Sequence, residues 1–193
     1  MKKLATAILF LLLGLLIGSS WAVFKIDAGR EDANIRQNGI WQYSPQRPPV
    51  PDDLQRCINA RSGTPKLPYP DLLELTATTD TKGKPLNSNF DYLLTGDNFH
   101  ARYWSYAMYG SDHSLIPNGG EITSLNMDNI KYTNTSLDNY KIIISKNKKH
   151  INWLPTGNAE NMTVMLRLYD LDTNFYENIN NMELPKIVKI NGQ

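Results

Sequence analysis

The chain has 193 residues and a formal net charge of +1, with 20 basic and 19 acidic side chains. That balance argues against the strongly basic face of a bulk nucleic-acid binder, so no nucleic-acid partner is expected. Cys57 is the single cysteine, which excludes an intrachain disulfide and any cysteine-based zinc site; within QRCINAR it reads as a half-buried residue of a short helix.

Residues 1–25 predict a transmembrane signal-anchor. Lys2 and Lys3 precede an uncharged run from Leu4 to Phe24. As a helix this run rises roughly 31 Å, about the thickness of a bilayer's hydrocarbon core. Trp21, Phe24 and Lys25 fall at its far end, where aromatic and basic side chains sit at the interface. The two leading lysines place the N-terminus in the cytoplasm and the rest of the chain outside an inner membrane. A second reading is a signal peptide cleaved after Ser20-Trp21-Ala22, which releases the domain into the periplasm. The two differ in tethering and not in compartment.

Residues 26–50 read as a linker, polar through KIDAGREDANIRQNG and proline-rich at SPQRPPVP. NGIW at its centre predicts a tryptophan already packed on the domain. Residues 51–193 form the expected β domain. It opens on a short helix from Pro51-Asp52-Asp53 to about Arg61, with acidic residues in the first turn and Gly63 at the end. Pro65, Pro68 and Pro70 keep the chain extended. Strands follow at ELTATTD, NFDYLLTGD, RYWSYAMYG, YKIIISK and MTVMLRLYD, with LPKIVKI as an edge strand. TKGKP is a turn, and the asparagine runs KYTNTSLDN and ENINN favour turns and caps. Aromatic residues crowd the stretch from Phe90 to Tyr109, which marks it as core. No amphipathic run is long enough for the helices of a parallel α/β fold. The expected fold is therefore mainly β: an antiparallel β-sandwich or jelly-roll-like domain, with one N-terminal transmembrane helix and a short helix before the sheet.

LELTATTDTKGKPL, ARYWSYAMYGSDHSLIPN, NWLPTG followed by MLRLYD, and a closing LPKI–V occur in an order that resembles the domain-of-unknown-function family 1214 (DUF1214). The similarity covers roughly residues 70–190, in the small membrane-anchored form of the family. The resemblance implies a β-sandwich-like fold and no agreed reaction. In larger relatives a second uncharacterised domain, number 1254, precedes this one. Three positions depart from the pattern. Gly110 stands where an acidic residue follows the tyrosine, His113-Ser114 replace a turn glycine, and Met162 replaces an aromatic residue.

Candidate chemistry is sparse. His100, His113 and His150 are scattered and predicted on loops or strand ends, so no metal site is expected. No G-x-S-x-G elbow or glycine-rich phosphate loop is present, and Gly119-Gly120 is only a turn. Ser105, Ser111 and Ser114 lie near His113 in sequence without forming a triad, and Asp170 and Asp172 read as a solvated turn. No catalytic residue and no cofactor is assigned. The ligand-binding candidates are Trp104, Tyr109, Asn152, Trp153, Arg167 and Tyr169. Alternation places Arg167 opposite Val164, Leu166 and Leu168, together with Met165 and Tyr169. There it is either a surface residue or a bidentate carboxylate clamp with Trp153 as a wall. Trp153, in turn, is either a plug at the sandwich end or a ligand rim. These features predict a membrane-anchored envelope protein whose domain binds or assembles without catalysis, with a small molecule or an envelope protein as partner. The rivals are an enzyme using a groove near Trp104, Trp153 and Arg167, and a subunit joined through an exposed strand edge.

Overall fold

The computed structural model describes residues 2–28, 35–44, 53–62, 71–117, 122–133 and 139–190. Pro51, Asp52, Gly63, Pro65, Pro68, Pro70, Gly119, Gly120 and, of the expected linker, residues 29–34 and 45–50 lie outside the described residues. The chain divides into two compact units, one within Met1–Ala33 and Pro48–Lys66, the other within Asn34–Arg47 and Leu67–Gln193.

The first unit is helical. Helix α1 (Lys2–Ala28) has 27 residues, a mean hydropathy of 2.3 over its most apolar window and no buried residue. It is long and apolar enough to cross a membrane. Helix α2 (Asp53–Ser62) carries Asp53 in its first turn and Arg61 in its last, which suits the helix dipole. Arg61 reaches Asp27 with Nε 2.9 Å from Oδ1. Cys57 is exposed and not half-buried. The helix buries Ile58 instead, and successive helical residues point about 100° apart, so the neighbour turns outward.

The second unit is built from two sheets. Strands β1 (Arg36–Asn38), β2 (Trp41–Tyr43), β3 (Leu72–Ala77), β5 (Ala101–Gly110), β6 (Ser124–Asn126) and β9 (Met162–Leu171) form a six-stranded sheet in the order β1-β2-β3-β9-β5-β6. Strands β4 (Asp91–Asp97), β7 (Asn139–Ser145), β8 (Trp153–Pro155) and β10 (Lys186–Ile190) form a four-stranded sheet in the order β10-β4-β7-β8. Every pair is antiparallel except β7 with β8. The expected sandwich is present, and KIVKI is an edge strand.

Alternation decides the two faces. Leu73, Leu75 and Ala77 of β3, Val164, Leu166 and Leu168 of β9, and Trp104, Tyr106 and Met108 of β5 turn inward. They meet Tyr92 and Leu94 of β4 and Tyr140, Ile142 and Ile144 of β7 from the other sheet. Each such side chain taken wholly out of water contributes roughly 1.5–3 kcal/mol. Trp104 stacks on Tyr140 with ring centroids 5.0 Å apart, and the Tyr106 and Tyr140 hydroxyls lie 2.7 Å apart between the sheets. Burial pushes both phenols well above their ordinary value.

The ends of the unit are sewn together. Asn38 Nδ2 donates to the carbonyls of Ile179 at 2.6 Å and Met182 at 2.8 Å. Trp41 is buried, and its Nε1 donates to the Pro185 carbonyl at 2.7 Å. Tyr43 Oη bonds to Asn180 Oδ1. The partners lie in the 3-10 turn Ile179–Asn181, which follows helix α3 (Thr173–Asn178, capped by Asp172), and in the segment after it. On edge strand β10, Ile187 is held by Thr81: its N–H donates to Thr81 Oγ1 at 3.1 Å, and its carbonyl accepts from Thr81 N at 2.7 Å. That bond covers part of an edge otherwise open to strand addition.

Candidate functional site

The corner Asn152-Trp153-Leu154-Pro155 is made by a chain reversal that ends in a parallel strand. Asn152 has φ 43, in the left-handed region that asparagine tolerates better than most residues. Its side chain is buried and fully engaged. Oδ1 accepts from Lys131 N at 2.7 Å, while Nδ2 donates to Lys131 O at 2.6 Å and Lys141 O at 2.9 Å. An amide supplies both an acceptor and two donors, which is the set this corner needs. In the parallel register Trp153 lies beside Ile143 and Leu154 beside Ile144. Leu154 therefore points into the core, and Trp153 lies on the outer face of the four-stranded sheet. Trp153 Nε1 donates to Ser145 O at 2.9 Å. Ser145 Oγ in turn accepts from Asn147 N at 3.1 Å. Asp91 is paired with Lys149 at 2.9 Å. Burial raises the Asp91 carboxyl, but hydrogen bonds from Ser145 and Lys149 and the lysine charge outweigh it, so the net direction is downward.

Arg167 lies on the outer face of the six-stranded sheet, as alternation predicts. The register sets it directly opposite Glu74 on β3 and Ser105 on β5. Its Nε is 2.8 Å from Glu74 Oε1, and its Nη1 donates to Tyr109 Oη at 2.9 Å. The guanidinium carbon also sits 5.5 Å from the centre of the Tyr109 ring. Burial pulls the Arg167 pKa down, yet the bonds and charges of Glu74 and Tyr109 outweigh that and raise it. Arg167 is therefore a cation held by groups of this chain on both sides.

Tyr169 is two residues further along the same face. It pairs with Tyr103, ring centroids 5.8 Å apart and tilted by 56°. The two rings border a shallow cleft of ≈ 650 Å³ with Asp71, Arg102, Met127, Asp128 and Asp170. Burial raises the Tyr103 phenol, and the charge of Asp128 adds to that. Asp170 has φ 50, and beyond this kink Leu171 turns into the core instead of continuing the outward row. Arg102 lies 4.0 Å from Asp170 at a largely exposed position.

Trp104 belongs to neither surface. It is fully buried between the sheets, and its Nε1 donates to Asn98 Oδ1 at 2.9 Å. The structure thus joins Tyr109 to Arg167 with Tyr169 on the same face, and joins Asn152 to Trp153 on the other sheet. Trp104, Trp153 and Arg167 occupy an interior, one outer face and the opposite sheet's outer face. His100, His113 and His150 all lie in loops, and His113 has φ 62. Asp172 caps α3 by accepting from Asn174 N at 2.8 Å. Among the described residues, no group of three or more His, Cys, Asp or Glu side chains is placed to hold a metal ion.

Sequence reasoning overlooked Glu74, Lys131, Ser145 and Thr81. The Glu74–Arg167 pair was within reach, because two alternating strands carrying opposite charges on their polar faces are a pairing signal. Lys131 acts through its backbone, which leaves no trace in residue type.

Comparison with known proteins places these features. The family described as "Protein of unknown function (DUF1214)" matches residues 71–173. No curated protein matches the chain. Among solved structures, the VPA0106 protein from Vibrio parahaemolyticus is similar at 23% identity and a TM-score of 0.57, over 72% of this chain and 36% of that one. An uncharacterized protein from Burkholderia cenocepacia is similar at 16% identity and a TM-score of 0.48, over 94% of this chain and 52% of that one. The chain thus spans about a third of the Vibrio protein and about half of the Burkholderia protein. Strands β1, β2 and β10 lie outside the matched residues 71–173, yet they complete both sheets.

Proposed function

The chain belongs to the DUF1214 family, and on that premise we propose that it is an envelope protein held in an inner membrane by α1, with its β unit in the periplasm as a non-catalytic binding or assembly module. The observation that carries the reading is the engagement of the polar groups singled out for chemistry. Asn152 spends its amide on the backbone of Lys131 and Lys141. Trp153 gives its N–H to Ser145. Arg167 is neutralised by Glu74 and capped by Tyr109. Groups bound in this way hold a surface in shape rather than react on it. The length and hydropathy of α1 support the anchor, and the lysines before it support the orientation.

The test is protease protection. Full-length protein is expressed in a bacterial host, and protease is added to intact cells with a permeabilised outer membrane, and separately to inverted inner-membrane vesicles. The β unit is expected to be cleaved in the first case and protected in the second, with α1 resistant to carbonate extraction. Cleavage only in inverted vesicles, or recovery with cytosolic markers, would sink the reading. Release of the β unit by carbonate without loss of periplasmic location would replace the anchor by a cleaved signal peptide.

A further inference from the structure

The shallow cleft beside Tyr169 sets aromatic rings between carboxylates. Leu72, Tyr169 and Tyr103 stand side by side on β3, β9 and β5. The two rings are half-buried and tilted against each other, which leaves ring surface open to solvent. An aspartate bounds the row on each side. Asp71 precedes Leu72, and its carbonyl accepts from Asp170 N at 3.2 Å. On the other side Asn126 of β6 pairs with Ser105, so the antiparallel sense brings Asp128 to the level of Tyr103. The turn that carries Asp128 is held by its own backbone. Asn126 Oδ1 accepts from Asp128 N at 2.9 Å, and Met127 N donates to Trp104 O at 3.2 Å. Asp71, Asp128 and both rings line the one cleft of ≈ 650 Å³. Its other charged side chains, Arg102 and Asp170, lie 4.0 Å apart and offset each other. Asp71 and Asp128 are thus the carboxylates of the cleft that have no cationic partner among the described residues.

We propose that this cleft binds an aliphatic diammonium or polyammonium ion, its methylene chain over the Tyr103 and Tyr169 rings and its charged ends at Asp128 and Asp71. A tyrosine ring offers an apolar body to methylenes and a negative face to an ammonium group. Spacing selects the length. Asp71 and Asp128 stand on the lines of β3 and β6, three strand spacings or about 14 Å apart at the backbone. A single ammonium group cannot meet both, whereas two such groups roughly 6–12 Å apart can, once side chains and hydrogen bonds close the rest. A metal ion needs ligands that converge on a point, and among the described residues no group of three or more His, Cys, Asp or Glu side chains does so. The proposal deepens the binding half of the function proposed above and rests on that half alone. It needs neither the anchor nor the compartment, so protease protection and ligand binding can fail independently.

The experiment is isothermal titration calorimetry of the full chain in micelles of an uncharged detergent, with spermidine as the probe. Saturable binding of spermidine is expected, with n-butylammonium about fivefold or more weaker because it meets one carboxylate only. Asp71→Asn and Asp128→Asn should each weaken spermidine about fivefold, and Tyr103→Leu about threefold. Glu160→Gln, an exposed carboxylate outside the cleft, should leave the affinity unchanged. Retention of the cooperative melt in each variant separates a lost site from a lost fold. Absence of saturable binding overturns the proposal. So does an affinity unchanged by Asp71→Asn together with Asp128→Asn, or lowered as much by Glu160→Gln, which reports attraction to acidic surface in general. Equal affinity for n-butylammonium and spermidine overturns the two-ended geometry. Tighter binding of a blocked trilysine peptide, which carries the same charge as spermidine, overturns the small ligand in favour of a basic polypeptide.

Discussion

Asn152 and Arg167 are both polar side chains set into the walls of the sandwich, and they are satisfied by opposite means. Asn152 is neutral and bonds only to backbone groups of Lys131 and Lys141. Arg167 is charged and bonds only to side chains, Glu74 and Tyr109. A backbone partner is present whatever its residue type, so the Asn152 corner is indifferent to salt and cannot be repaired by changing a neighbour. A side-chain partner can be removed along with the charge it neutralises. The difference teaches which polar contact is irreplaceable and which is exchangeable.

The largest effect is expected from Asn152→Ala. It leaves two carbonyls and an N–H without partners and puts alanine at φ 43. A loss of about 3–4 kcal/mol in denaturant unfolding is expected, and no substitution at Lys131 should restore it. A loss under about 1 kcal/mol would show that the corner relaxes onto other partners. Next is Arg167→Met, which leaves Glu74 half-buried and unpaired at a cost of about 2 kcal/mol. Adding Glu74→Gln should recover most of that in a double-mutant cycle. Simple additivity of the two changes would erase the contrast with Asn152. Thr156→Val sharpens the comparison from the other side. Thr156 is fully buried and its hydroxyl has no partner among the described residues, so the variant should be neutral or up to about 1 kcal/mol more stable.

The smallest effect is a pH dependence at Asp91. Its folded-state pKa lies below the ordinary value of about 3.9. Its contribution is therefore complete above that ordinary value and is lost as pH falls through the folded value. Asp91→Asn should flatten the acid limb of the stability curve by less than about 1 kcal/mol. A steeper acid limb in the variant would mean that Lys149 does not hold that carboxyl.

Alternation carried most of the fold. Strands of five residues or more, such as β5 and β9, show a period of two clearly enough to set their inward faces, and the outward position of Arg167 followed from it. Strands β1, β6 and β8 have three residues each and no period to read. Helix α3 was hidden because TNFYEN and the asparagines after it resemble a turn in composition. The site was less legible than the fold. Trp104 and Trp153 are equally apolar in sequence, and only the pairing of strands puts one inside and the other on a face. Glu74 lies 93 positions from Arg167, so the contact depends on the register of β3 with β9 and on no local pattern.

The stitches between Asn38, Trp41 and Tyr43 and the stretch Ile179–Pro185 also set a timetable. These contacts join residues 137 to 144 positions apart. Strand β2 has its Trp41 N–H and its neighbour's amide unsatisfied until nearly the whole chain has been synthesised. The sandwich therefore closes late, and its folding is slow for its size, as expected where distant segments must find each other. On the proposed reading, in which α1 leads the β unit through a membrane, lateness would be useful: a unit that locks only when its last strand arrives is still open while it is being moved.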